Sequence, residues 1–318
     1  MYGSARSPMR SPQMLIRNDY LSPAPNGSHH GPCHQRHAWW AVRARPARAA
    51  QERRNGEGHM PVVHLEHSII HYEEHGPTDA PVILTLAPGG LESQARFWRV
   101  RVSGEARSFP DPRPILARDF RVIAFDQRNA GGSVAPLDRP ATWDDYADDH
   151  LGLLDRLGVT DFHLLGACIG GPFGFKLIER APQRVRSFVV QATSGLDAHN
   201  RKVFDTSFWN WGEAVLARRP DVRRDTLRAQ QMGMFGGDFI FSVTREQVAR
   251  VSTPLLILQG HDAAHPAAIS QEIHALARNA TLVTEWDGPA NAGTYASLLT
   301  EFFAAHSRQP AGAAAHAL

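Results

Sequence analysis

Cysteine is scarce in this chain. Among 318 residues there are two, Cys33 and Cys168. Two cysteines give no disulfide framework, and the default compartment for such a chain is a reducing one, the cytoplasm. Long hydrophobic runs are missing as well. Nothing approaches the ~20 apolar residues of a membrane-spanning helix, and the start of the chain lacks the apolar core of a secretory signal. The 17 histidines are scattered without ligand spacing, so neither a metal nor another cofactor is expected.

Charge of one sign is missing from the whole but not from its parts. Residues 1–59 carry nine Arg, no Lys and three acids, a net of +6. The total is +2, so the remainder carries −4. A mildly acidic body gives no footprint for a nucleic-acid partner. The leader is rich in Arg, Pro, Ser, Gly and His without apolar periodicity. It cannot bury enough surface to offset its ordering entropy, so 1–59 is expected to be a disordered basic extension. Met60 directly precedes the first strand-like stretch. With 42% hydrophobic and 21% charged residues, the composition is that of an ordinary soluble domain. The length has room for one α/β unit and a modest insertion.

The stretch around which the chain is organised is Leu164-Leu165-Gly166-Ala167-Cys168-Ile169-Gly170-Gly171. It follows an apolar run and opens a helical pattern (Phe173, Phe175, Leu177, Ile178), so a strand ends, the backbone turns and a helix begins. One reactive side chain, Cys168, sits at the apex between small residues. That is the layout of a nucleophile elbow, G-x-S-x-G, with Cys in place of Ser. A buried cysteine in a glycine-rich turn is the plainer alternative.

Elsewhere, 62–67 and 68–73 read as a hairpin, and 81–86 as a buried strand running into Pro88-Gly89-Gly90. Residues 101–119 read as a long loop and 120–125 as a further strand, ending in Asp126-Gln127-Arg128-Asn129-Ala130-Gly131-Gly132-Ser133. A helix begins at Thr142 with capping-box spacing, and the acids Asp144, Asp145, Asp148 and Asp149 read as helix-start charges. After the strand 187–192, residues 195–250 break the rhythm with aromatics and methionines at helical spacings, as in a small helical insertion roofing a pocket. Strands at 255–259 and 281–286 enclose a helix at about 267–277, and a last helix ends near His306, followed by a frayed tail (307–318). Alternating strands and helices imply a mostly parallel sheet with helices on both faces.

These motifs, in this order, resemble the α/β-hydrolase superfamily over residues 60–306. They are Pro88-Gly89-Gly90, the D-x-R-x-x-G-x-S loop (Asp126, Arg128, Gly131, Ser133), the elbow (Gly166, Cys168, Gly170), the A-P-x-x-V step (Ala181, Pro182, Val185) and the D-x-x-x-P step (Asp262, Pro266). The resemblance implies an α/β-hydrolase fold with a cap at about 195–250 and a nucleophile–acid–histidine triad. Cys168 would be its nucleophile and Asp262 its acid, with Asp197 as the alternative acid. The backbone N–H groups of Ile169 and of Gly89 or Gly90 would form an oxyanion hole.

The chain departs from the family in one respect. The family's histidine follows the last strand, and residues 287–293 hold none. His306 falls too late. His265 is the nearest substitute, and His261 a weaker one. A thiol needs a base less than a hydroxyl does, because its pKa of about 8.5 falls at helix N-termini. The expectation is therefore a hydrolase of esters, thioesters or lactones, or an acyltransferase, acting on a small, largely apolar carbonyl compound. The rival is a non-catalytic small-molecule binder on the same scaffold. Neither a nucleic-acid nor a membrane partner is expected, and a homodimer is compatible with the sequence.

Overall fold

The structure, a computed structural model, describes residues 61–307. The expected basic extension 1–59, Met60 and the tail beyond Ser307 lie outside the described residues. Short aliphatic runs become strands: β1 (Val62–His64), β2 (Ile69–His75), β3 (Val82–Leu86), β4 (Arg121–Phe125), β5 (Phe162–Cys168), β6 (Val185–Thr193), β7 (Leu255–Leu258) and β8 (Ala280–Val283). They form one sheet in the order β1-β2-β4-β3-β5-β6-β7-β8. The β1–β2 hairpin joins β4 antiparallel, and every other pairing is parallel. β3 and β7 are buried along their whole length, which is why they read as continuous apolar runs rather than alternating ones.

Successive residues on each strand feed opposite layers. Leu84, Leu164, Val190 and Ile257 pack on one face with Tyr146, Phe173 and Ile273. These come from α2 (Trp143–Arg156), α3 (Gly170–Arg180) and α7 (Ala267–Leu276). Ile83, Leu165, Val189 and Leu256 pack on the other face with Leu116, Leu299 and Phe303, from α1 (Pro112–Leu116) and α8 (Ala292–Ser307). Between β6 and β7 lie α4 (Arg201–Arg218), α5 (Arg224–Phe235) and α6 (Arg245–Ala249). Among the described residues no helix is long and apolar enough to cross a membrane.

Three readings change. The loop expected over 101–119 contains α1, because Asp111 caps it by accepting from the Arg113 N–H at 3.0 Å and Pro112 opens its first turn. The last strand ends at Val283 rather than 286, and the indole of Trp286 donates instead to the Gln259 carbonyl at 2.9 Å. Ser307, expected in the frayed tail, ends α8, and its Oγ lies 2.9 Å from His163 Nε2.

The D-x-R-x-x-G-x-S loop is lacing rather than chemistry. Asp126 accepts from the N–H groups of Ala95 (3.0 Å) and Gly132 (2.9 Å), and Arg128 donates to buried Asp149 at 2.6 Å. Ser133 Oγ donates to the Asp126 carbonyl and accepts from the His71 N–H. Asp145 closes the capping box with Thr142, as its spacing predicts.

The elbow forms as its glycines require. Cys168 takes φ 56°, a left-handed backbone costly for any residue with a side chain. The pairing of β5 with β6 slips by one residue between Ala167 and Cys168. A Cβ on Gly166 would lie 2.3 Å from the Gly170 carbonyl oxygen, and one on Gly170 would lie 2.3 Å from that of Leu86. These obstacles are backbone atoms and cannot swing aside. Gly170→Ala should therefore cost about 2–3 kcal/mol, whereas Gly233→Ala in α5, where a Cβ meets nothing within 4 Å, should gain about 0.5–1 kcal/mol. Urea unfolding of the two variants beside the parent chain checks both signs.

Candidate active site

The active edge is the carboxyl end of the parallel strands, where loops after β3, β5, β6 and β7 converge. Cys168 ends β5 at the head of α3, and the strained turn holds its side chain away from the sheet. Its Sγ lies 3.2 Å from Ser194 Oγ and receives a hydrogen bond from the backbone N–H of Gly89. Gly89 (φ 128°) and Gly90 (φ 62°) both need the glycine backbone there. A Cβ on Gly89 would also meet the Phe97 ring at 2.7 Å. Ile169 is the N-cap of α3, so its backbone stands at the positive end of that helix.

The Gly260–His265 segment after β7 folds back on itself. Asp262 and His265 exchange backbone hydrogen bonds as an isolated bridge, at 3.4 and 3.1 Å. Asp262 Oδ1 accepts from the N–H groups of Ala264 (2.8 Å) and His265 (3.0 Å). The same carboxylate takes His265 Nδ1 at 2.8 Å to Oδ1 and 3.0 Å to Oδ2. Nδ1 therefore carries the proton, and Nε2 is the nitrogen left for chemistry. Gly260 permits the turn, since a Cβ there would lie 2.3 Å from the His265 carbonyl oxygen. Nε2 is buried, makes no hydrogen bond of full geometry at rest, and is electrostatically coupled to the Cys168 sulfur.

Charge follows from this geometry. Burial pushes the Cys168 thiol up, but the charge of the His265 imidazolium overrides it, helped by Ser194 and the Gly89 N–H, and brings the pKa down to about 6. Burial pushes His265 down, while the Cys168 thiolate and the Asp262 carboxylate raise it to about 10. The hydrogen bond from His265 holds Asp262 well below the usual carboxylate range. Each charge favours the other, so the coupling leans the pair toward thiolate and imidazolium.

Cys168, Asp262, His265, Gly89, Gly90 and Ile169 thus meet at one edge of the sheet. Asp197 does not join them, because its carboxylate accepts from the His199 N–H at 2.7 Å and its own N–H donates to Asn200. His261 is exposed and lies 3.5 Å from Asp287. Ser194 was not anticipated. The available signal was its place just after β6, the strand beside the elbow strand. Arg107, in the loop before α1, also feels the thiolate: burial lowers its pKa and Cys168 opposes this. In the loop after β8, where the family's histidine was sought, Phe109 packs against Trp286 and Tyr295, each at 5.7 Å between ring centroids. A cavity of about 90 Å³ opens on Cys168. Larger grooves of about 650 and 740 Å³ lie beside α2 and β2 and contain none of these residues. Among the described residues no cluster of His, Cys, Asp and Glu could hold a metal ion.

This fold and site define a class. The sequence profile of the alpha/beta hydrolase fold matches residues 87–287, and the chain belongs to that family. A curated relative from Variovorax paradoxus (strain S110), bearing the name "Putative carbamate hydrolase RutD", is 37% identical over 137 residues, 43% of this chain and 47% of the relative. A RutD of the same name from Azorhizobium caulinodans is 32% identical over 147 residues, 46% of this chain and 49% of the relative. The matches span about half the length of these curated relatives. Among solved structures, the enol-lactonase from Burkholderia xenovorans LB400 superposes with TM-score 0.56 at 20% identity, over 77% of this chain and 100% of that one. The meta-cleavage product hydrolase CumD of Pseudomonas fluorescens IP01 gives 0.55 at 21%, over 75% and 95%. Likeness at this identity speaks for the fold alone.

The charge state has a direct readout. Alkylation of Cys168 by iodoacetamide should hold its thiolate rate from pH 9 down to about 6 and then fall about tenfold per pH unit. In His265→Ala the lost imidazolium leaves only burial and weaker donors, so the midpoint should move upward by more than one unit. Mass spectrometry against pH records both.

Proposed function

We propose that this protein is a hydrolase of small carbonyl compounds that works through a Cys168 thioester. The observation that carries the reading is the coupling of Cys168, which lines a cavity, to His265, itself held by Asp262. The thiolate attacks the carbonyl carbon and a C–S bond forms. The N–H groups of Gly89 or Gly90 and of Ile169 receive the developing oxyanion. Collapse breaks the bond to the leaving group, which takes the Nε2 proton of His265. The charge that raised His265 is now gone, because a thioester sulfur is neutral, so the imidazole becomes a base. It takes a proton from water, the hydroxide oxygen adds to the carbonyl carbon, the C–S bond breaks, and the thiolate returns beside imidazolium. An alcohol or amine in place of water would give acyl transfer by the same steps.

Esters, thioesters and lactones of low polarity suit the cavity, and the name of the curated relatives adds carbamates to the set to be assayed. The helices α4–α6 act as the cap. A thiolate that must stay reduced suits the cytoplasm. The non-catalytic binder is disfavoured by the Asp262–His265 contact, since a site that only binds has no use for an oriented imidazole.

A chromogenic short-chain ester should give a burst with a matching acyl mass on Cys168. Cys168→Ala should lower kcat at least about 10³-fold, and Asp262→Asn about 10²–10⁴-fold with KM little changed. A folded protein that shows neither burst nor adduct would overturn the reading.

A further inference from the structure

The cavity at Cys168 has two unlike ends. Leu91, Ile169, Phe208 and Phe235, all buried, line it, and their burial marks its closed side. Phe204, also buried, backs it and packs edge-on against Phe241 with 4.9 Å between ring centroids. Phe208 is braced in the same way by Trp211 at 5.5 Å. These rings belong to the cap and are held by one another, so the closed end does not yield cheaply. The other end is open: Ser207 is exposed, and Val203 and Ala264 are half-buried. Ala264, on this side, immediately precedes His265 in the chain. Apart from Cys168 itself no ionisable side chain lines the cavity, and its hydroxyls are those of Ser194 and Ser207.

We infer that the site takes a neutral, short acyl group into the closed end and leaves the size of the leaving group unrestricted. This rests on the reading of Cys168 as nucleophile and adds the substrate class. Chemistry fixes the orientation. The leaving group must receive its proton from His265, so it lies toward Ala264 and the mouth, and the acyl chain lies under Phe204, Phe208 and Phe235. Size fixes the limit. A protein cavity of about 150 Å³ accommodates benzene, with six heavy atoms. The space of about 90 Å³ here therefore suits three to four acyl carbons, with the carbonyl oxygen left to the Gly89, Gly90 and Ile169 N–H groups. Acetyl, propionyl and butyryl groups fit, and hexanoyl and octanoyl groups do not. Carboxylated acyl groups are disfavoured because nothing in the cavity balances their charge.

The test uses two ester series on the full chain. One varies the acyl group from acetyl to octanoyl on p-nitrophenol, and the other varies the alcohol from ethyl to octyl, primary alcohols of nearly equal acidity, on acetate. The expected result is a fall of at least tenfold in kcat/KM between butyryl and hexanoyl, with changes within about threefold along the alcohol series. In Phe208→Ala the hexanoyl-to-acetyl ratio should rise at least tenfold. If that variant does not fold, Phe208→Leu should raise the ratio in the same direction by a smaller factor. Acyl adducts that form on Cys168 equally well at every chain length would overturn the inference and leave the nucleophile standing. A steep alcohol series would do the same. With no adduct on Cys168 from any ester, both readings fall together.

Discussion

The grip of one carboxylate on its own turn governs the active edge. Asp262 takes two backbone N–H groups and an imidazole N–H within four residues. Any one of these contacts is worth little against water, but hydrogen bonds to an ionised carboxylate are among the stronger ones. Together they fix the χ angles of His265 by fixing its Nδ1. With Nδ1 committed, Nε2 is the nitrogen left to the coupling with Cys168, which favours the thiolate. In the proposed reaction the charge on Cys168 is thus favoured by a hydrogen bond it does not make. The remaining scaffold supplies position: the pressed glycines of the elbow, the left-handed backbone at Cys168, and the Gly89–Gly90 loop.

Sulfur and oxygen would use this arrangement differently. A serine would require His265 as a base at the start of the reaction, and an imidazole that prefers to be charged is a poor base. For the proposed cysteine nucleophile the same preference would be useful, because the proton would already be transferred when substrate arrives. The stored proton is then the one the leaving group needs. Burial, which opposes both charges separately, tolerates them as a pair. The apolar walls of Leu91, Ile169 and Phe208 strengthen that mutual attraction by keeping the local dielectric low.

Much of this was legible in the sequence because it was local. Gly166-Ala167-Cys168-Ile169-Gly170 announces its own turn, since strain at the apex demands small neighbours in the chain itself. The buried strands β3 and β7 are unmistakable as apolar runs. Asp262 and His265 could be paired on paper because only two residues separate them. What escaped depended on distant packing. Ser194 reaches Cys168 only once β6 lies beside β5, and nothing in Thr193-Ser194-Gly195 marks it. Arg107 was lost in a loop of charges, and its relation to the thiolate exists only in three dimensions. The end of β8 was overestimated because Thr284-Glu285-Trp286 continues a strand-like composition, whereas the indole of Trp286 is drawn to the Gln259 carbonyl. The helix α1 hid behind its prolines, which signal breaks in mid-helix but beginnings after an aspartate.

The placement of acid and base on one turn has a mechanical consequence. β8 lies at the edge of the sheet and is only partly covered, and edge strands are among the first parts of a domain to open locally. A histidine carried beyond β8 would move with that edge, and its distance to an aspartate beyond β7 would fluctuate as the two strands parted. Here the distance from Asp262 to His265 spans three peptide units that lie wholly before α7. Breathing of the outer strand leaves it unchanged, so the alignment of proton donor and carboxylate is insulated from the softest margin of the fold.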